Sequence, residues 1–205
     1  MSVLAFDIET RLLASEVEQQ CAAELAGADP WERPELFGFA CGVIVDVYTR
    51  APRYYGPAQA TEMISALEAA EVTVGFNSAG FDLGVLSGYG DVSGIHQRHL
   101  DLRAEIKAAL RASPEASASG KRLYAGSLDA ICSANDLGGK TGSGVDAPAL
   151  YRAGRILELL AYCEADVRLT TTFYCLLGEE RLCVEPAYYE DDERVQLGRR
   201  ISLSL

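Results

Sequence analysis

The sequence predicts an α/β fold. Two short apolar runs, Val3–Phe6 and Val72–Phe76, have the length and composition of buried strands, and a segment of helical period, Thr61–Glu71, lies between them. A long helix-forming stretch, Ile156–Leu177, follows near the C-terminus. A strand, a helical crossover and a second strand make a parallel pair with a right-handed connection, so Val72–Phe76 belongs beside Val3–Phe6.

Val3–Phe6 runs into an acidic pair, Asp7 and Glu9, and suits a central strand. Arg11 to Pro34 is polar and helix-forming, with a break at Gly27-Ala-Asp-Pro30. Phe37–Val45 and Val47–Tyr55 are rich in β-branched and aromatic residues, and Asp46 alone parts them, which predicts a tight hairpin or one long bent strand. Met63, Ile64, Leu67 and Ala70 carry the helical spacing of Thr61–Glu71, and a helix begins at Phe81–Leu86. His99–Leu110 opens extended and becomes a helix. Ser113–Gly120 (SPEASASG) reads as a mobile loop. Ser127 is placed to cap a helix over Ser127–Leu137, and Gly138–Gly144 reads as a glycine-rich loop. Arg181–Leu205 has no clear period. The expected organisation is a domain over 1–180 and a C-terminal tail, 181–205, docked on it.

The 205 residues are 49% hydrophobic, enough for a sizeable core. The first apolar run has no basic flank and is broken by acids, unlike a signal peptide. No stretch approaches the roughly 18 apolar residues of a membrane span. These features set the expectation of a cytoplasmic protein with no membrane partner. None of the six cysteines forms a C-x-x-C pair, so they are expected as reduced thiols filling space. The net charge of −12 argues against a protein that coats a duplex, since phosphate neutralisation drives such binding. An enzyme that grips a few nucleotides through divalent ions escapes that rule.

Asp7-Ile8-Glu9 puts two carboxylates on one face of a strand, because side chains two apart point the same way. Like charges on a buried strand are costly unless a cation neutralises them, and Mg²⁺ takes carboxylate oxygens. A strand end emerging into solvent is the plain alternative for D-x-E by itself. Asn77-Ser-Ala-Gly-Phe-Asp82 leads from the Val72 strand into a helix. Asp82 is there either a helix cap or a third ligand, and Asn77 either holds the turn or touches substrate. In Tyr162-Cys-Glu-Ala-Asp166, Tyr162 and Asp166 share a helix face while Glu164 points elsewhere and is expected in solvent. Four acids and a tyrosine suit a two-metal phosphodiester cleavage, with the tyrosine hydroxyl orienting the attacking water.

These motifs resemble the DEDD-type 3′–5′ exonucleases of the tyrosine subclass. Phe6-Asp-Ile-Glu-Thr10 is similar to the first family motif, Gly75-Phe-Asn77 with Phe81-Asp82 to the second, and Tyr162 with Asp166 to the third. Ser127-Leu-Asp129, Leu137-Gly-Gly-Lys140 and Leu150-Tyr-Arg-Ala-Gly154 also resemble stand-alone relatives of the family B DNA polymerase proofreading domain. The resemblance covers Val3 to about Leu177. It implies a ribonuclease-H-like mixed five-stranded sheet with helices on both faces. It also implies two divalent ions, Mg²⁺ or Mn²⁺, on Asp7, Glu9, Asp82 and Asp166, and catalysis by these acids with Tyr162. Thr10, Asn77, Phe81 and Lys140 are the substrate-binding candidates, and a single-stranded or frayed DNA 3′ end is the expected substrate. An RNA 3′ end fits the same acids, since they read phosphates and not sugars. A catalytically silent relative that binds nucleic acid would be expected to lack one acid, and all four are present.

Gly139-Lys-Thr141 evokes a phosphate-binding loop, but position 134, where the first glycine belongs, is Ala134. The 11–34 segment looks long for its place in the family and is positioned to cover the groove beside Glu9.

Overall fold

The computed structural model describes residues 2–138, 146–198 and 200–203. The chain forms two compact units. The first spans 1–101 and 141–171, and the second 102–140 and 172–205.

In the first unit, β1 (Val3–Thr10) lies at the middle of a five-stranded sheet of order β3-β2-β1-β4-β5. Its antiparallel neighbour is β2 (Phe39–Asp46), followed at the edge by β3 (Pro52–Tyr55). On the other side β4 (Val72–Gly75) and β5 (His99–Asp101) run parallel to it. The hairpin is looser than Asp46 alone suggested. Asp46 Oδ1 accepts the Tyr48 and Thr49 amides at 3.0 and 2.8 Å, an aspartate-capped turn that shortens the second strand.

One face of the sheet carries the core. Leu4, Phe6 and Ile8 alternate inward along β1 and pack against Met63, Ile64 and Leu67 of α3 (Ala60–Glu68). The same cluster takes Leu83 and Leu86 of α4 (Asp82–Ser87) and Ile95 of α5 (Ser93–His96). Each such side chain contributes roughly 1.5–3 kcal/mol by leaving water. The opposite face, with Asp7 and Glu9, receives α9 (Ala147–Arg152) and α10 (Ile156–Gly178). This is the mixed α/β sheet with helices on both faces expected above.

Between β1 and β2 the polar segment folds into α1 (Ala14–Gln20), α2 (Ala22–Leu25) and two 3-10 turns, Pro30–Glu32 and Pro34–Phe37. Pro34 lies against Gly84 of α4 so closely that a Cβ there would meet Pro34 Cγ at 2.3 Å. Glycine at position 84 is what lets the segment seat on that helix.

In the second unit, α6 (Leu102–Ala112) leads to α7 (Pro114–Ser119), where the sequence suggested a mobile loop. The local chemistry explains the difference. Ser113 caps the helix by accepting the Ala116 amide, Pro114 fills the first turn, and Gly120 (φ 62°) closes the end in the left-handed region. α8 (Leu128–Ala134) has the Ser127 cap as expected. The segment expected as a tail holds four short strands: β6 (Leu182–Val184) pairs with β9 (Ile201–Leu203), and β7 (Ala187–Glu190) with β8 (Glu193–Gln196). Asp191 and Asp192, both at positive φ, make the two-residue turn of the latter hairpin. Among the described residues no helix is long and apolar enough to cross a membrane.

Candidate metal centre

Asp7 and Glu9 leave β1 on the face opposite the core, and Cys163 of α10 comes to them. One ligand atom from each of the three lies within 4.8 Å of the others. The Cys163 thiol donates to the Asp7 carbonyl oxygen at 3.3 Å and sits 3.8 Å from Asp7 Oδ2. Burial, a hydrogen bond with Cys41 and the Asp7 and Glu9 charges hold this thiol protonated, well above the usual range. In the metal-free protein it is thus a small donor that packs α10 against the acids, and it is the third member of the cluster with Asp7 and Glu9. A β-bulge follows directly, where the partners shift from Glu9–Cys41 to Thr10–Phe39. Such bulges bend a strand and re-aim its side chains.

Asp82 reaches the same place from the neighbouring strand. β4 pairs with β1 only as far as Ala5–Val74, and further along β1 the Ile8 amide donates to Asp82 Oδ1 at 3.2 Å. A carboxylate thus continues the ladder where the strand has ended. Asp82 is buried and shares a hydrogen bond with the Asp7 carboxyl. Burial pushes its pKa up to about 7, against the Ile8 amide and with the help of the Asp101 charge. A buried carboxyl crowded by like charges is the electrostatic setting that a divalent cation relieves.

Asp166 is buried on α10. At about 100° per residue it falls between Tyr162 and Cys163 on the helix circumference, on the side turned to β1. Its Oδ1 is buried with no hydrogen-bond donor against it. Tyr162 is half-buried and lines a cavity of about 900 Å³ with Leu150 of α9 and Ala165 of α10. Glu164 is away from this group, as expected, but it is engaged and not merely solvated. It accepts the Tyr54 hydroxyl at 2.6 Å and pairs with Arg168. The donor set of Asp7, Glu9, Asp82 and Asp166 is all oxygen and anionic, which fits a hard divalent ion.

The turn that delivers Asp82 is pinned from β5. Asn77 takes a left-handed conformation (φ 64°), and Asp101 accepts the Asn77 and Ala79 amides at 3.0 and 3.1 Å. Asn77 is thus a turn residue in this structure. Gly75 has no side chain because Ser78 Oγ would lie 2.0 Å from a Cβ there. Ser78 Oγ is 2.8 Å from His99 Nε2, and Thr73 Oγ1 is 3.0 Å from His99 Nδ1. Burial lowers the His99 pKa to about 4, despite the nearby Asp101 charge. With the folded value below the unfolded 6.5, the neutral ring stabilises the fold fully above pH 6.5, and that contribution is lost as pH falls toward 4. Urea melts at neutral pH and near pH 4.5 should show this loss, and His99→Gln should flatten it. An equal acid sensitivity in His99→Gln would place its origin elsewhere.

Beside Glu9 a groove of about 490 Å³ is lined by Thr10, Leu12, Trp31, Phe37 and Phe81, among others. Trp31, Phe37 and Phe81 form an aromatic cluster with centroids 5.1 to 5.5 Å apart. Trp31 is 63% exposed, and Asp29 caps its turn through the Trp31 amide. The 11–34 segment is a wall of this groove. Trp31, Asp101 and Cys163 were not singled out from the sequence. Cys163 had a signal, since it lies three residues before Asp166 and shares its helix side, whereas a lone tryptophan in a turn had none. Lys140, the remaining candidate for substrate contact, lies outside the described residues.

No family model and no curated protein matches this chain. Among solved structures it is similar to exonuclease I, from work on how that enzyme achieves processivity. The identity is 14% and the TM-score 0.47, over 88% of this chain and 45% of that one. The chain therefore spans less than half the length of that protein. The acids themselves, and not this likeness, carry the reading of function.

Proposed function

We propose that the chain is a metal-dependent 3′–5′ exonuclease that trims single-stranded or frayed DNA ends. The observation that carries this reading is the meeting of Asp7, Glu9 and Asp82 at one buried spot next to an aromatic groove. The polarity and the preference for DNA come from the motif resemblance. Asp7, Glu9, Asp82 and Asp166 would hold two divalent ions, Mg²⁺ or Mn²⁺. When bound, such ions make water more acidic and neutralise charge on the leaving oxygen and phosphate.

The protein's own groups do the rest. Trp31 and Phe81 hold the terminal base by stacking, with Thr10 at the groove edge beside Glu9. The hydroxyl of Tyr162 orients the attacking water for in-line displacement of the 3′-oxygen. Asn77 and Asp101 fix the turn that aims Asp82.

The test is a product ladder. The protein is incubated with Mg²⁺ or Mn²⁺ and with 3′- or 5′-labelled DNA and RNA oligonucleotides. Stepwise shortening from the 3′ end of DNA is expected. Shortening from the 5′ end, or no cleavage with either ion, would sink the proposal, and faster loss of RNA would replace DNA as substrate. Trp31→Ala should weaken capture of the 3′ end by about tenfold, within the 1–3 kcal/mol of one base-on-ring stack. That loss belongs in KM, with the single-turnover rate at saturation little changed. An unchanged KM would leave Trp31 as a surface residue without a role.

A further inference from the structure

We propose that the second unit carries a nucleotide-binding pocket of its own, which grips a phosphate and a base of a single nucleic-acid strand. The pocket, of about 320 Å³, is large enough for one nucleotide. Its walls include Arg103 and Lys107 of α6, Tyr124, Gly126, Tyr189 of β7 and Arg194 of β8.

Arg103 and Lys107 are four apart on one helix and share a face, anchored by the buried Ile106 between them. Arg194 is the cross-strand partner of Tyr189. Gly126 (φ 87°) has no side chain, so Arg194 Nη2 lies 3.5 Å from where its Cβ would be, and the guanidinium rests along that backbone. Among the described residues no carboxylate pairs with Arg194. No acidic side chain is among the residues lining the pocket. Three cations in a lining that includes no acidic side chain offer donors to a phosphate.

The rings supply the second half of a nucleotide. Tyr124 is zipped to Ala187 by two backbone hydrogen bonds of 2.8 and 3.0 Å, which fixes its ring edge-on to Tyr189 at 5.4 Å. Tyr189 is more than half exposed and offers a free face for stacking. Arg122 over Tyr124 at 5.3 Å continues the alternation of cation and ring, while Lys121, 3.9 Å over Tyr188, is paired with Glu190. An acidic peptide would use the cations and leave both rings idle, so a nucleotide fits better.

The charge distribution points the same way. The first unit holds eight basic and nineteen acidic residues, and the second ten and eleven. The negative charge is concentrated in the unit with the metal-centre acids, and the unit that carries the pocket is nearly neutral. A strand repelled by the former has a place to hold on the latter.

That the strand is also the substrate rests on the exonuclease reading, and the experiment separates the two. Anisotropy of a labelled oligothymidylate of about a dozen nucleotides is measured on the full chain in EDTA, so nothing is cleaved. Lys107→Glu with Arg194→Glu should weaken binding by at least about tenfold and flatten its salt dependence, as lost phosphate contacts do. Tyr189→Ala should weaken it several-fold, and Tyr189→Phe should restore it. Free thymidine monophosphate as competitor distinguishes a pocket that takes loose nucleotides from one that needs the strand. Hydrolysis of a nitrophenyl ester of thymidine monophosphate, which engages the metal centre alone, should not change in these variants. If the chain is no nuclease, both ester and strand stay intact while the binding losses remain. Binding within twofold of wild type in the double charge reversal, or an equal loss for a polyglutamate probe, overturns the pocket.

Discussion

Asp7→Ala is expected to lower hydrolysis of a 3′-labelled oligonucleotide by at least about 10³-fold, the upper end of what one electrostatic group contributes to a transition state. Asp7 is where Glu9, Cys163 and Asp82 come together. It shares a hydrogen bond with Asp82, lies with Glu9 and Cys163 inside one 4.8 Å cluster, and lends its carbonyl to the Cys163 thiol. Losing its carboxylate removes a ligand and also frees Asp82 to relax. Stability should move the other way. Without metal, Asp7 is one of several like charges held together, and alanine removes one of them. Thermal melts in EDTA should therefore show a melting temperature equal to wild type or higher. The rise in melting temperature that Mg²⁺ or Mn²⁺ gives wild type should disappear, because stabilisation by a ligand requires its site. Activity within a few fold of wild type would end the assignment of this centre, whatever the melts show.

Tyr162→Phe should slow the chemical step by about 10²-fold, the scale of one positioned catalytic group. The substitution keeps the ring against the cavity that Tyr162 lines with α9 and removes the hydroxyl alone. Folding stability and capture of a 3′ end should hardly change. The measurement has to be single-turnover, because slow product release would hide a loss in chemistry. If the phenol orients a water and passes no proton, the pH profile should keep its wild-type shape and fall as a whole. A rate equal to wild type would leave Tyr162 as a packing residue, while Asp166 would keep its place on the buried side of α10.

Much of the sheet could be read from the sequence, because its strands are short apolar runs whose period sets which face is buried. Phe6 and Ile8 went to the core and Asp7 and Glu9 to the other face, as alternation along a strand requires. The parallel place of β4 followed from the crossover rule. What the sequence hid depended on partners distant in the chain or on chemistry masked by composition. SPEASASG looks like a loop by content, yet a serine cap, a proline and a terminal glycine make it a helix. The last quarter forms strands of three or four residues, too short for a period to show. Asp101 and His99 read as an ordinary strand end, and nothing local announced that they hold the turn leading to Asp82, far upstream in the chain. Trp31 reaches the groove beside Glu9 on the turn just before Pro34–Phe37, and it is the latter that docks on α4, a contact that no periodicity encodes.

The notch at Gly84 ties two properties that an engineer would want to adjust separately. α4 begins at Asp82 and, half a turn later, leaves room for Pro34, whose 3-10 turn carries Phe37 into the aromatic groove. In the proposed reading, the grip on a terminal base and the aim of a metal-centre acid thus stand on one footing. Changes that retune base preference through the 30–37 turns should register at Asp82, and repairs at Asp82 should shift base preference. Selection on this protein would then favour paired substitutions across that notch over single ones, a covariation that measured libraries could reveal as strong non-additivity between positions 34 and 84.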